Sequence, residues 1–206
     1  MNTITLEKSL NKKCPYTLTK GFIVNFEDMK FLLKAYDKNI PSYMSCNHKV
    51  IIKDGKIIVC NGYRIHMIDC TENKDENFLI DTEYNGQYEV IINNKKTIVL
   101  QQAEKGEGIF NADEFFFNKM NNFQSSDGEN IEIKFEKDSM DISIEYARII
   151  KAMPENECIN YDFFSDLFYK DSIYTAKIPA DEMDAVYFEN CNKYAALMPI
   201  RMSSED

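Results

Sequence analysis

One local order recurs along this chain and limits what it can fold into. A short run of strand-forming residues enters an amphipathic helix, and strands separated by glycine turns follow it. In "FIVNFEDMKFLLKAYDKN" the pattern predicts a strand at Phe22 to Val24 and a helix from about Phe26 to Lys38. Glu27 and Asp28 fall in its first turn and Lys38 in its last, as the helix dipole favours. "KVIIKDG" and "KIIVCNG" then read as strands joined by Asp54-Gly55, a good two-residue hairpin turn. A third strand, Arg64 to Asp69, follows Asn61-Gly62.

The order returns at "GIFNADEFFFNKMNNF", where Asn111 suits a helix N-cap and Glu114 lies three residues on, as in a capping box. After Asp127-Gly128, "NIEIKFEK" and "MDISIEYARI" carry apolar residues at every second position and are expected to be strands. It returns again near the C-terminus, with a helix expected from Tyr161 to Lys170 and strands at Ser172 to Ile178, Ala185 to Glu189 and Tyr194 to Ile200. The copies differ too much for a solenoid of fixed period. Between the first and second lies a stretch with strands but no obvious helix, the reduced second half of a first domain. Lys105-Gly106-Glu107-Gly108 is the best linker, giving domains at 1–106 and 107–206. The fold class expected is α+β, with antiparallel sheets and helices on one face.

At 206 residues and 44% hydrophobic content, the chain can bury a core. Its net charge of −10 disfavours general attraction to nucleic acid, so any such contact needs a local basic surface. The six cysteines, Cys14, Cys46, Cys60, Cys70, Cys158 and Cys191, form no C-x-x-C pair, and the histidines are only His48 and His66. Neither a metal site nor a disulfide framework is expected. The first twenty residues lack an apolar signal core and no run is long enough to cross a bilayer, which points to a cytosolic protein with reduced thiols.

Phosphate-loop, dinucleotide, zinc-protease and nucleophile-elbow motifs are all missing, so nothing in the sequence argues for an enzyme. His66, in "YRIHMID", has no identifiable partner and reads as structural. On the first helix Lys30, Lys34 and Lys38 are spaced four apart and share a face. They suit either a solvated face or one that grips phosphates without reading bases. The second helix adds Lys119 beside Asn118 and Asn122, whereas the third carries Asp162 and Asp166 beside Lys170.

Three segments, in order, resemble the bacterial DNA polymerase III beta subunits, the sliding clamps. "VCNGYRIHMI" resembles that family's "ATDGYRLA", "IEYARIIKAMP" its "FPDYRRVLP", and "YAALMPIRM" its closing Met-Pro-x-Arg-apolar strand. Together with the strand-helix-strands units the resemblance spans roughly Gly21 to Met202. It implies a DNA-clamp-like fold, with helices lining a ring and sheets outside. It further implies a non-catalytic, cofactor-free processivity factor that encircles double-stranded DNA non-specifically. DNA polymerase and other partners would dock by short peptides. Carried across by motif position, the peptide pocket is Cys60, Gly62, Tyr63 and Ile65 with Ala196, Leu197, Met198, Pro199 and Met202. Lys30, Lys34, Lys38 and Lys119 become the DNA-facing residues, and Arg64 and Arg201 would brace the pocket rim or pair with acidic neighbours. An apolar slot with adaptable methionines suits peptide anchors.

The sequence departs from the family in places. Asn61 stands where the family has aspartate, the tyrosine segment lacks its first proline, and "SSED" follows Met202. The chain has room for two domains where the family has three, so a six-domain ring would need a trimer. The alternative is a monomeric, clamp-derived adaptor or regulator that binds peptides without encircling DNA.

Overall fold

The computed structural model describes residues 2–8, 16–19, 21–37, 49–70, 79–103, 128–134, 142–168, 173–180 and 184–202. The expected linker at Lys105 to Gly108, the second helix with Lys119, the Asn111 cap, Lys38 and His48 lie outside them. The chain divides into two compact units, Met1–Asn118 and Lys119–Asp206.

In the first unit β1 (Thr3–Glu7) and β2 (Tyr16–Thr19) precede β3 (Phe22–Asn25), which runs straight into α1 (Phe26–Leu33). Asn25 caps that helix, its side-chain oxygen accepting from the Glu27 N–H. The helix is shorter than the sequence predicts. From Leu33 on, the chain tightens into i→i+3 bonds: Lys34 N–H to Phe31 O, Ala35 to Leu32 and Tyr36 to Leu33. Strands β4 (Val50–Lys53), β5 (Lys56–Cys60) and β6 (Arg64–Asp69) follow as an antiparallel meander, as the sequence predicts. Asp54 and Gly55 both have positive φ, 49° and 79°, the condition of a type I′ hairpin turn.

Then come β7 (Leu79–Ile80), a 3-10 turn at Thr82–Tyr84, β8 (Gly86–Asn93) and β9 (Thr97–Gln102). Antiparallel pairing arranges β1, β9, β8, β4, β5 and β6 side by side, while β2, β3 and β7 make a small second sheet. Ile4, Leu6, Met29, Leu32, Ile57, Val59, Leu100 and the fully enclosed Tyr88 form the core.

Among the described residues of the second unit, the first element is β10 (Gly128–Lys134), the expected strand. The segment that follows corrects the sequence reading: Ile142–Ala152 is a helix, α2, not an alternating strand. Ile142, Ile144 and Tyr146 do alternate, but the period then changes. Tyr146, Ile149, Ile150 and Met153 follow the i, i+3, i+4, i+7 rule, and of these Ile149 and Met153 are buried while Ile144 is exposed. Ala147, Arg148, Lys151 and Ala152 are strong helix formers, and Glu145 pairs with Arg148 at 2.6 Å.

β11 (Glu157–Ile159) then leads into α3 (Tyr161–Ser165), which ends five residues earlier than the sequence predicts. Strands β12 (Ile173–Pro179), β13 (Val186–Asn190) and β14 (Lys193–Leu197) follow, with β15 (Pro199–Arg201) last. β14, β13, β12 and β10 form one antiparallel sheet, and β15 pairs with β11.

The two strand-helix-strands units repeat in detail. Asn160 caps α3 through the Phe163 N–H as Asn25 caps α1, and an aromatic follows each cap. Four and seven residues past the cap, Met29 and Leu32 are fully buried in one copy, Phe164 and Leu167 in the other. Around Phe164 the rings of Tyr146, Phe168 and Phe188 lie at centroid distances of 5.5, 4.6 and 5.8 Å, edge-on or tilted. One packing solution therefore serves both units, although few residues are shared.

Candidate functional site

The turn between β5 and β6 is built by Asn61. Its N–H donates to the Arg64 carbonyl at 3.2 Å, and its side-chain oxygen accepts from the Tyr63 and Arg64 N–H groups at 3.1 and 3.0 Å. The carboxamide oxygen supplies the acceptor that an aspartate would provide. Gly62 follows with a positive φ of 87°, which glycine adopts without a side-chain clash, and its N–H meets the Cys60 sulfur at 3.2 Å. This leaves Tyr63 at the tip, 60% exposed.

Past the turn, strand alternation sorts the motif onto two faces. Ile65 is half-buried, whereas Arg64 is only 8% exposed and His66 is enclosed. Arg64 donates from its guanidinium to the Lys34 carbonyl, and His66 Nδ1 lies 2.7 Å from the Phe31 carbonyl. A carbonyl only accepts, so Nδ1 carries the proton there. The imidazole also stacks on the Phe31 ring, 4.5 Å between centroids at 13°. Both side chains thus donate at the C-terminal end of α1, Arg64 to the carbonyl of the C-cap Lys34 and His66 to the Phe31 carbonyl, which also takes the Lys34 N–H. A cation there also complements the helix dipole. His66 is an anchor for α1, and Arg64 faces the helix rather than an outer rim.

In the closing motif burial alternates only from Leu197 to Ile200, with Ala195 and Ala196 buried before it and Arg201 and Met202 exposed after it. Ala196, Leu197 and Pro199 are buried, while Met198 and Met202 are 42% and 50% exposed. β15 is held against β11 by the register Ile159↔Pro199 and Glu157↔Arg201, and Met202 N–H donates to the Asn156 carbonyl at 2.8 Å. Ile200, 47% exposed between the two methionines, extends the same outward row. Motif matching passes over it, although the every-second-residue spacing 198, 200, 202 was there to read. Of the nine positions assigned to the pocket, Gly62, Tyr63, Met198 and Met202 present exposed surface, Ile65 is half-buried, and Cys60, Ala196, Leu197 and Pro199 are buried. The first four motif positions belong to the first unit and the other five to the second.

On α1, Lys30 and Lys34 are both half-buried. Lys30 Nζ donates to the Asn93 side chain at 2.5 Å and sits 5.7 Å from the Phe26 ring centroid. Partial burial holds its pKa below 10.5, with Glu27 pulling upward and Lys8 downward. Among the described residues no cluster of three histidine, cysteine or carboxylate side chains could hold a metal ion, and no helix is long and apolar enough to cross a membrane.

No protein-family model and no curated protein matches the sequence. Among solved structures the chain is similar to a putative DNA polymerase III beta subunit from Eubacterium rectale, at 10% identity and a TM-score of 0.47, over 98% of this chain and 66% of that one. It is similar to the beta subunit from Borrelia burgdorferi at 10% identity and a TM-score of 0.45, over 98% and 65% of the two chains. For the DNA polymerase sliding clamp from Pseudomonas aeruginosa the values are 7%, 0.44, 97% and 67%. The chain therefore spans about two thirds of the length of the structures it resembles, and these belong to the family that its sequence motifs resemble, the bacterial beta sliding clamps.

Proposed function

We propose that this chain is a clamp-type processivity factor that holds DNA without reading it and docks partner proteins through short apolar peptides. One observation carries the reading. At both motif positions the turn or strand ends leave large apolar side chains in solvent, Tyr63 at one and Met198 and Met202 at the other, next in sequence to buried residues. Single exposed apolar residues need no explanation, but matched sets at the ends of two motifs suit partner anchors. In the first unit Lys30 and Lys34 supply local positive charge to a chain of net −10, as a DNA-facing helix requires. The exposed Asp162 on α3 favours the second reading, a peptide-binding adaptor that stays off DNA.

Light scattering across protein concentration separates the two. A particle near three times 24.1 kDa supports a ring of two-domain subunits, and a strict monomer transfers the function to the adaptor. Met198→Glu is expected to abolish capture of an apolar clamp-binding peptide and leave the mass unchanged. Equal capture by that variant discards the pocket. Lys30→Glu with Lys34→Glu is expected to weaken DNA retention without unfolding the chain.

A further inference from the structure

The hairpin joining β8 to β9 ends in "NNKKT", Asn93 to Thr97, a stretch that no motif above absorbs. Its tip is fixed by one side chain: Asn94 Oδ1 accepts from the N–H groups of Lys96 and Thr97, both at 2.8 Å, while Asn94 N–H donates to the Thr97 carbonyl at 3.0 Å. A bulge between Val90 and Ile92 adds twist to the hairpin. Lys95 and Lys96 are exposed on this preset tip.

Two further lysines come to the same place. Lys8, just past β1, donates its N–H to the Lys96 carbonyl at 2.8 Å. Lys30 reaches from α1 to Asn93. Lys8 and Lys30 lie over one ring, Phe26, at 6.0 and 5.7 Å from its centroid. The acids beside the group are Glu27, bound to Lys8, and Glu7 at the end of β1. Lys8 and Lys30, both over Phe26, are thus tied to the tip that exposes Lys95 and Lys96, the first through the Lys96 carbonyl and the second through Asn93, in a chain whose net charge is −10.

We infer that Lys8, Lys30, Lys95 and Lys96 form a phosphate-backbone contact for a nucleic-acid duplex, centred on the β8–β9 tip rather than on the α1 stripe alone. The inference rests on the DNA-binding part of the reading above, but not on ring closure. Lysines are point charges that grip phosphates without sequence preference, and a tip braced by Asn94 loses little freedom on binding. Lys30 belongs to both surfaces, and Lys34 lies one helical turn beyond it.

The test is fluorescence anisotropy of a mixed-sequence duplex oligonucleotide with the full chain, titrated over a range of salt. Lys95→Gln with Lys96→Gln removes two charges while keeping the backbone N–H that Asn94 uses. Lys134→Gln with Lys151→Gln makes the same change of net charge in the second unit. The tip variant is expected to flatten the slope of log K against log salt by about 2, equally for all sequences, with the control variant near wild type. Equal slopes in wild type and tip variant overturn the inference and leave the α1 stripe as the contact. Equal losses in both variants overturn it in favour of bulk charge, and a wild-type chain that binds no duplex at low salt overturns it outright. Polyglutamate competing as well as DNA, with the same lysine dependence, overturns the choice of nucleic acid. Tip-dependent binding by a monomer sustains it while removing the ring.

Discussion

Arg64→Met separates the two faces of the turn motif. Methionine keeps most of the apolar stem but takes away the guanidinium that donates to the Lys34 carbonyl at the end of α1. A hydrogen bond from a charged donor contributes ~1.5–3 kcal/mol. Its interaction with the helix terminus adds ~0.3–1 kcal/mol, giving an expected loss of about 2 to 4 kcal/mol. With a urea m-value of ~1–3 kcal/mol/M, the unfolding midpoint should fall by ~0.7–4 M. Hydrogen exchange should quicken at the Lys34, Ala35 and Tyr36 amides, whose acceptors lie in the last turn of α1. Arg64→Lys, which keeps the charge but not the planar fork, is expected to recover part of the loss. Tyr63→Ala, one residue away on an exposed tip, should cost less than ~0.5 kcal/mol while weakening peptide capture. A midpoint for Arg64→Met within ~0.3 M of wild type, with those amides still protected, would refute the assignment of Arg64 to the helix.

Burial, with Asp69 and Asp28 nearby, pushes the Cys70 thiol from 9.0 up to about 12. Its proton is held more tightly in the fold than in the unfolded chain. The resulting stabilisation is complete below pH 9 and is lost as pH rises toward 12, so denaturation midpoints should fall over that window, and less steeply in Cys70→Ala. At pH 8 a thiol reagent should modify the exposed Cys191 in the native protein and spare Cys70 until denaturant is added. Phe164→Ala, which empties the centre of the second unit's aromatic cluster, should cost ~3–5 kcal/mol in the same urea assay. A smaller loss would mean that the three remaining rings repack.

What could be read from the sequence was what local chemistry decides alone. Asp54-Gly55 specified a hairpin because both positions need positive φ, and the third strand was expected at the bounds it takes, Arg64 to Asp69. From Ile142 the sequence predicts a strand because the first three apolar residues alternate, whereas the helical spacing of Tyr146, Ile149, Ile150 and Met153 begins only further on. Helix lengths were overestimated because apolar periodicity continues through the tightened i→i+3 turns after Leu33 and Ser165. The roles of Arg64 and His66 needed the third dimension, since their acceptors lie 30 and 35 residues earlier in the chain. The lysine tip is not legible in the sequence for the same reason: Lys8, Lys30 and Lys95 are far apart in the chain, and only the pairing of β1 with β9 and the bond from α1 to Asn93 bring their segments together.

The sorting of the turn motif onto two faces changes what the motif records as sequences diverge. Under the proposed function Tyr63 and Ile65 answer to a partner, while Arg64 and His66 reach the end of a helix in their own unit. A descendant that abandons its partner can let the first pair drift, yet it still needs the second to stay folded. An intact glycine, arginine and inward histidine in such a descendant therefore records a docked helix, and only the outward side chains keep the memory of what once was bound.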